Sequence, residues 1–498
     1  MEPKRTSASG AVPQLILPPP TISDSLKSNL APPLDEGAAV EGNENGEERR
    51  KSGLGVWALL DDYMISRFIF SFFCIEGPLI VSRLMQVSHA FHQFASWEKT
   101  WMKIAMNLSA GQFEYEHSWR FTAKKIALRL RKEKIEKETG IIQPNFPIPS
   151  ESYTQISGFY SAYMFRIWYR YYHSYQLFNK GVHDSGIIER IPTSTKFTQE
   201  QFVVDYDRPR KPFVLSGICK KWKAWGQWTT HGLVQRFPDH IVKCAQPNQK
   251  GERLVMTIRN YITYLRTNMD EKPLYVFDSG FAKRIPALRE EYEIPKPFVQ
   301  DLFSCLGVYR PDYRWYLIGP TRSGTGWHID PNGTAAWNAL LAGRKWWLLY
   351  PPDITPPGVW VDYYSDGSIK KWKSASPLKW MFDEFPKITG LPQPIQLIQY
   401  PGDMIYVPSG WWHMVINIED TISVTQNFVN SQNLGAAVRS LYNSRRNKEL
   451  LKIWLDRLYE ISPQHYKEVK HKIKLLDGEK DKRKLASLEK KKEQWKVQ

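Results

Sequence analysis

The fold is decided by the sequence SGTGWHIDPNGTAAWNALLAGRKWWLLYPP at residues 323–352. Within this stretch only Ile329 separates His328 from Asp330. Because residues i and i+2 of a β-strand project to the same face of the sheet, the imidazole and the carboxylate converge on one point. A third ligand from elsewhere in the chain would complete a metal site.

The sequence PGDMIYVPSGWWHMVIN at residues 401–417 supplies that ligand. It predicts a Gly-Asp turn, a strand, a Pro-Ser-Gly turn and then His413 at the start of another strand. Two histidines and one carboxylate on one face leave coordination positions open, as in non-haem iron(II) oxygenases. A lone His-x-Asp occurs by chance in many proteins, but the ordered turns and strands around both segments make chance improbable here.

Strands and turns dominate the sequence from about residue 188 to residue 430. Short runs of β-branched and aromatic residues are bounded by Gly, Pro, Asp or Ser, a pattern typical of strands. Many such strands in one body favour a sandwich or a barrel whose edges close on themselves. The runs lie at residues 211–218, 273–278, 313–320, 345–352, 402–418 and 421–429.

Residues 188–430 resemble a JmjC domain, an oxygenase domain with a double-stranded β-helix (cupin, or jelly-roll) fold. The shared strings are SGTG-x-HIDP-x-GT-x-AWNAL-x-x-G-x-K-x-W, VP-x-GWWH-x-V-x-N and TI-x-x-TQNF. They are most similar to the phosphatidylserine-receptor-like branch, which is described as lysyl hydroxylases and arginine demethylases. The resemblance implies an α+β fold in which this core carries N-terminal and C-terminal helices.

The same resemblance implies a cofactor set: iron(II), 2-oxoglutarate as co-substrate and O2, with ascorbate in a supporting role. In that family the metal ligands that carry catalysis fall at the positions of His328, Asp330 and His413. The family's 2-oxoglutarate contacts match five further residues: Lys345, Asn338, Thr325, Thr425 and Tyr275.

The chemistry of the co-substrate supports Lys345 as its anchor. 2-Oxoglutarate chelates iron through its keto acid end and needs a cation for its remote carboxylate, which a lysine ammonium provides. Strand alternation places the neighbouring Arg344 on the opposite face. The alternatives are an ordinary exposed strand lysine at Lys345 and a strand-filling role for Thr425.

Two features bear on the substrate. Trp327 stands directly before the first ligand, where relatives carry a smaller aliphatic residue, and we expect it to shape substrate entry. Residues 353–394, rich in Pro, Trp and charge, interrupt the core strands. We expect them to form an inserted loop over the active-site mouth, where specificity would reside.

The N-terminal part of the chain has a different character. Residues 1–52 are poor in apolar side chains and predict disorder. Residues 53–105 have helical periodicity and resemble an F-box, a module that docks on an adaptor of ubiquitin-ligase complexes; the alternative is a helical cap packed on the catalytic domain. Residues 106–187 predict a connector with a basic helix at 119–138 and an aromatic-rich run at 165–178 that serves as core and interface.

Composition sets broader limits. The chain has 498 residues, 42% of them apolar, and only four scattered cysteines, so neither a disulfide framework nor a zinc site is predicted. No stretch is long and apolar enough to predict a membrane span. The formal net charge is +17, and residues 431–498, which predict basic helices, hold 18 Lys and Arg against 9 Asp and Glu. Such a balance suggests acidic partners, among them RNA or chromatin bound through this tail and the basic helix at 119–138; the alternative is a solvated charged helix face.

Together these features predict an Fe(II)- and 2-oxoglutarate-dependent oxygenase. The resemblance favours a protein substrate with Lys- or Arg-rich segments, lysyl hydroxylation ahead of N-methyl demethylation, and a nuclear location with a cytoplasmic pool as the alternative. A rival hypothesis is a ubiquitin-ligase substrate receptor in which the JmjC domain is mainly a binding module. A complete ligand set favours the enzyme, because a binding module would tolerate the loss of a metal ligand or of Lys345.

Overall fold

The computed structural model describes residues 43–142, 144, 161–247 and 253–497. Most of the segment expected to be disordered, residues 1–52, lies outside these residues. Its last part, from residue 43 onward, belongs to the helix Asn43–Leu54. Among the described residues, no helix combines the length and the apolar character needed to cross a bilayer.

The described residues form fifteen strands, whose bounds are as follows: β1 Glu189–Pro192, β2 Phe213–Ser216, β3 Ile241–Pro247, β4 Arg253–Thr257, β5 Val276–Asp278, β6 Arg314–Gly319, β7 Gly324–His328, β8 Ala335–Ala342, β9 Lys345–Tyr350, β10 Trp360–Tyr363, β11 Ile369–Lys373, β12 Ile395–Gln399, β13 Met404–Val407, β14 Trp412–Asn417 and β15 Thr421–Phe428. The larger sheet has the order β1-β2-β13-β8-β15-β6-β5-β3-β4, and the smaller sheet has the order β12-β9-β14-β7. β1 and β2 run parallel, and every other described pairing is antiparallel. The predicted α+β fold with a cupin-like core is confirmed.

Helices precede, interrupt and follow the sheets. The α-helices are Asn43–Leu54, Asp62–Met64, Phe70–Glu76, Pro78–Leu84, His89–Ser96, Glu98–Ser109, Trp119–Thr139, Ala162–Gln176, Gln199–Gln201, Thr230–Arg236, Ile258–Thr267, Phe281–Arg284, Pro286–Glu290, Pro377–Asp383, Leu434–Asn443, Lys448–Ile461 and Pro463–Val497. Single turns of π-helix lie at Ile65–Ile69, Leu177–Gly181 and Phe202–Asp207. Turns of 3-10 helix lie at Gly55–Leu59, Ile218–Lys221, Lys296–Phe298, Ser304–Tyr309, Pro331–Gly333, Phe385–Lys387 and Arg445–Asn447.

The two sheets face each other across an apolar layer. Every residue of β9 is buried, because alternate side chains face alternate covered surfaces. Trp347 and Leu349 turn toward the larger sheet and meet Val407. Trp346 and Leu348 turn the other way, into a second apolar cluster. The smaller sheet is therefore a central layer, and its inner face is the wall on which a site can be built.

The insertion at residues 353–394 covers the outer face of the smaller sheet. Its helix Pro377–Asp383 places Trp380 in T-shaped contact with Trp327, with ring centroids 5.2 Å apart. This helix therefore lies on the outer face of the sheet, whereas we expected the whole insertion to form a loop over the active-site mouth. The physical reason is that the outward aromatic side chains of β9 need an apolar cover, which this helix supplies.

The N-terminal helices pack on the outer face of the larger sheet. A turn at Gly77, with φ of 98°, separates the helices Phe70–Glu76 and Pro78–Leu84. The helix His89–Ser96 begins after Ser88, whose hydroxyl accepts a hydrogen bond from the Phe91 N–H (3.2 Å). The apolar core of this unit is continuous with that of the sheet, and the Trp119 indole N–H donates to Asp270 (3.1 Å). The packing matches a helical cap on the catalytic domain.

The C-terminal helices form a further apolar cluster around Trp454 and Leu458, both fully buried. The Trp454 indole N–H donates to the backbone oxygen of Leu302 (2.9 Å), which fixes these helices to the loop before β6. The helix Leu434–Asn443 lies against the turn Pro331–Gly333. The C-terminal region thus supports the segment that directly follows Asp330.

Candidate metal and co-substrate site

The three predicted metal ligands meet at one end of the smaller sheet. His328 ends β7 and pairs directly with His413 on β14, and their ring centroids lie 4.0 Å apart. One ligand atom from each of His328, Asp330 and His413 lies within 4.8 Å of the others. Residues far apart in sequence are brought together because an antiparallel pair places directly opposite residues on one face.

Backbone carbonyls orient both imidazoles. The Nδ1 atom of His328 lies 2.8 Å from the Gly326 oxygen, and that of His413 lies 3.0 Å from the Trp411 oxygen. Since a carbonyl can only accept, each Nδ1 carries the proton and each Nε2 keeps its lone pair for a metal.

Burial adjusts these groups for metal binding. Burial lowers the pKa of His413 to about 4 and, together with the neighbouring His413, lowers the pKa of His328 to about 4, so both rings are neutral near pH 7. Burial also raises the pKa of Asp330, whose Oδ2 atom is buried with no hydrogen-bond partner among the described residues. Unpaired buried oxygen is costly, and a divalent cation between two imidazoles and this carboxylate would remove that cost. The donor set fits iron(II).

Lys345 lies in the same interior, and its ammonium also lacks an oppositely charged partner among the described residues. Its side chain is 1% exposed, and its ammonium donates to Asn417 Oδ1 (2.8 Å) and to the Tyr275 hydroxyl (3.2 Å). No carboxylate within the described part of the chain forms an ion pair with it. Burial alone lowers the pKa of Lys345 to about 7. A carboxylate of a small acid would supply the missing counterion, as predicted for 2-oxoglutarate.

Arg344 is excluded from that role. It forms an ion pair with Glu419 (2.7 Å) at the surface, on the face opposite to Lys345. The alternation of the strand thus separates the two cations as predicted.

A cavity of about 200 Å³ connects Lys345 with the three ligands. Its walls include all the predicted co-substrate contacts, which are Lys345, Asn338, Thr325, Thr425 and Tyr275. The Oδ1 atom of Asn338 is buried without a partner among the described residues, so it is free to bind a ligand. The Thr425 hydroxyl already donates to the Trp337 oxygen (2.7 Å), which leaves only its acceptor capacity.

Sequence reasoning missed residues that hold Lys345 in place. Asn417 accepts from Lys345, and its own amide donates to Ser323 Oγ (2.8 Å). Thr421 lies 3.4 Å from the ammonium, closer to it along β15 than the predicted Thr425. Asn417 lies four residues after His413 at the end of the same strand. Because an even separation along a strand places two side chains on the same face, this spacing could have identified Asn417 from the sequence.

Trp327 does not line this cavity, contrary to the expectation that it shapes substrate entry. Its side chain is 1% exposed and packs between Tyr350 and Trp380 on the outer face of the smaller sheet. Strand alternation accounts for this direction, because Trp327 directly precedes His328, which faces the cavity. The register shift between His413 and Val415 marks a bulge in β7, and this bulge lets Thr325, three residues before His328, face the cavity as well.

Comparison with known proteins agrees with this geometry. Residues 198–434 match the model of the cupin-like domain family. The chain is 32% identical over 388 residues to the arginine-specific demethylase JMJ22 of Arabidopsis thaliana, covering 77% of this chain and 70% of JMJ22. It is 37% identical over 284 residues to the bifunctional arginine demethylase and lysyl-hydroxylase psr-1 of Caenorhabditis elegans, covering 56% of this chain and 69% of psr-1.

The chain belongs to the JmjC family of cupin-like oxygenases. It is also 35% identical over 392 residues to the lysine-specific demethylase JMJ21 of Arabidopsis thaliana, and there it spans 78% of its own length but only 38% of JMJ21. Further relatives are named as 2-oxoglutarate and iron-dependent oxygenases. The family therefore fixes the chemical class, an oxidoreductase that depends on iron and 2-oxoglutarate, and the ligand cluster matches it.

Replacing His328 by alanine should abolish iron binding and turnover of 2-oxoglutarate. The loss of iron affinity should exceed about 100-fold, because even the groups that orient metal ligands contribute roughly 10- to 100-fold. Metal titration and 2-oxoglutarate decarboxylation measure both effects. His231→Ala, at an exposed position in the helix Thr230–Arg236, is the matched control. Wild-type iron affinity in His328→Ala would contradict the assignment.

Binding of 2-oxoglutarate should weaken as the pH rises above about 7. Burial has lowered the pKa of Lys345 to about 7, so the empty site increasingly holds a neutral amine that must take up a proton to bind a carboxylate. Tyr275 stays protonated, since burial raises its pKa. The affinity should fall by up to about tenfold per pH unit.

Calorimetry on the Mn(II)-loaded protein at several pH values tests this dependence. In Lys345→Arg the guanidinium stays charged, so the same titration should give a flatter profile even if the affinity is lower. Parallel profiles in the two proteins would show that Lys345 is not the titrating group.

Proposed function

We propose that this chain oxidises lysine or arginine side chains of proteins, by hydroxylation of carbon or by demethylation of an N-methyl group. The observation that carries the proposal is that one cavity joins the ligand triad to the buried Lys345, which forms no ion pair with a carboxylate of the described residues. The names of the relatives support a protein substrate.

The residues have separate tasks in this proposal. His328, Asp330 and His413 would hold the iron, and bound iron with 2-oxoglutarate and O2 supplies the oxidation of a substrate C–H bond. Lys345 binds the remote carboxylate of the co-substrate, and Asn417 keeps the ammonium aimed into the cavity. Apolar walls that include Trp315 and other buried side chains exclude water from this interior.

The two outcomes are one chemistry on different carbons. Oxidation of a side-chain methylene ends at the alcohol, whereas oxidation of a methyl group on nitrogen gives an unstable product that releases the methyl carbon. The resemblance to lysyl hydroxylases favours hydroxylation, and we place the enzyme in the nucleus.

Mass spectrometry of nuclear protein peptides incubated with the enzyme, iron, ascorbate and 2-oxoglutarate tests the proposal. A mass gain of one oxygen on lysine or arginine is the expected product, and loss of a methylene mass from a methylated peptide would indicate demethylation. Both must disappear in Asp330→Ala. The proposal would be contradicted if the modification persists in that variant, or if it occurs only on residues other than lysine and arginine.

A second function, adaptor docking by the F-box-like unit, is favoured by one observation. Several large apolar side chains of this unit are more than half exposed although its core is well packed, namely Val56, Leu59, Phe68, Phe72, Leu79 and Val87. A contiguous apolar surface made by such side chains would mark a protein-docking site.

Replacing Leu59 and Phe68 by serine should abolish co-purification with a purified ubiquitin-ligase adaptor and leave 2-oxoglutarate turnover intact. Both side chains are exposed (88% and 55%), so their loss should not disturb the core. Tyr459→Ser, at an exposed apolar position in the C-terminal helices (66%), is the control. Equal adaptor recovery by all three proteins would reject the docking function.

Nucleic acid binding by the basic helix at 119–138 is partly opposed by its ion pairs. Along Trp119–Thr139 three cations pair with glutamates four residues on, as in Arg129 with Glu133 and Lys134 with Glu138. These pairs offset part of the positive charge of the helix, which weakens a salt-dependent contact with phosphates.

A further inference from the structure

A group of exposed cations borders the segment that carries the first two metal ligands. We call this group the basic rim, and its members are Lys370, Lys371, Lys373, Arg445 and Arg446. The lysines belong to β11, in the hairpin β10–β11, and the arginines to the 3-10 turn Arg445–Asn447.

Packing fixes the direction in which the hairpin presents its lysines. Val361, Ile369 and Trp372 face inward and contact the outer apolar cluster of the smaller sheet. Trp372 meets Trp412, the neighbour of His413, with ring centroids 5.7 Å apart. Because side chains alternate along a strand, Lys371 and Lys373 must face outward.

Hydrogen bonds attach the rim to both ends of the ligand segment. Before His328, the Trp327 N–H donates to Ser374 Oγ (3.0 Å), one residue past Lys373. After Asp330, the Asn447 amide donates to Asn332 Oδ1 (3.1 Å), directly beyond Arg445 and Arg446. The hairpin turn is fixed on the same side, since Asp366 accepts from the Asn443 amide (2.8 Å). The rim therefore flanks the residues next to the cavity.

The cations of the rim exceed the acids that it contacts. Asp362 pairs with Lys370 (3.1 Å) and Lys371 (3.7 Å), and Lys371 and Lys373 also lie over the Trp360 ring, 5.4 and 5.6 Å from its centroid. The ring holds the two ammonium groups close together at the surface. It is also partly covered by them, which disfavours its use as a stacking platform for nucleic acid bases.

We propose that the basic rim binds acidic residues that flank the modified side chain of the protein substrate. The inference rests on the proposed function and narrows its substrate class: a lysine or arginine enters the cavity, and aspartates or glutamates beside it contact the rim. Opposite charges on the two surfaces select partners and speed their encounter. A uniformly Lys- or Arg-rich segment, the class expected from the resemblance, would meet like charge at this surface.

Fluorescence anisotropy with two labelled peptides tests the inference without requiring catalysis. Both peptides carry a central lysine, flanked by four glutamates in one and by four lysines in the other, and both are titrated with the full chain loaded with Mn(II) and 2-oxoglutarate. The acidic peptide should bind at least about tenfold more tightly, and its advantage should shrink as salt rises.

Variants separate the rim from the overall charge. The double variant Lys371→Gln, Lys373→Gln should lose most of the preference for the acidic peptide. The matched control Lys452→Gln, Lys467→Gln removes the same charge from exposed positions of the C-terminal helices. This control should retain the preference for the acidic peptide.

Equal or tighter binding of the basic peptide, no measurable binding of the acidic one, or a preference that survives in the rim variant would each overturn the inference. The inference would also be overturned if a single-stranded oligonucleotide displaced the acidic peptide and bound to Lys371 and Lys373 more tightly than the peptide does. Failure of the proposed function is a different result: no oxidised product from any peptide, whatever the anisotropy shows.

Discussion

The antiparallel pairing of β7 with β14 is the constraint on which the site depends. It places His328 opposite His413, and the bulge beside this pair allows Thr325 to share the cavity. Gly324 makes the close approach of the strands possible: its φ is 153°, and a Cβ there would lie 2.0 Å from the Val415 oxygen. A slip of one residue would turn His413 to the other face and divide the ligand set.

Burial acts on both ends of the cavity in complementary ways. At one end it keeps the imidazoles neutral, and an oxygen of Asp330 has no hydrogen-bond partner among the described residues, so a bound cation stabilises the site. At the other end the Lys345 ammonium is buried without an ion pair to any described carboxylate, so a bound anion stabilises the site. A small dianion that chelates the metal at one end and reaches Lys345 at the other satisfies both.

Much of this site could be predicted from sequence because strand alternation is a local rule. It placed His328 with Asp330, and it separated Lys345 from Arg344. The same rule places Trp327 on the face opposite to His328, so our expectation that Trp327 shapes substrate entry was wrong. The rule could not show the bulge that brings Thr325 to the cavity, because the bulge depends on how two distant strands meet. Nor could it show that Asn417 contacts Lys345, since that depends on the relative stagger of β9 and β14. The outer cover formed by Pro377–Asp383 was missed for a similar reason: a stretch rich in Trp and Pro does not reveal which face it will bury.

The central claim is that one small molecule spans the metal and Lys345. Calorimetric titration of the Mn(II)-loaded protein with 2-oxoglutarate and with 2-oxopentanoate, which has the same carbon chain but lacks the remote carboxylate, tests it most directly. We predict that 2-oxoglutarate binds only when the metal is present, and that the analogue binds at least about tenfold more weakly, since a hydrogen bond to a charged group contributes about 1.5–3 kcal/mol. Equal affinities for the two acids, or binding of 2-oxoglutarate that does not depend on the metal, would contradict it.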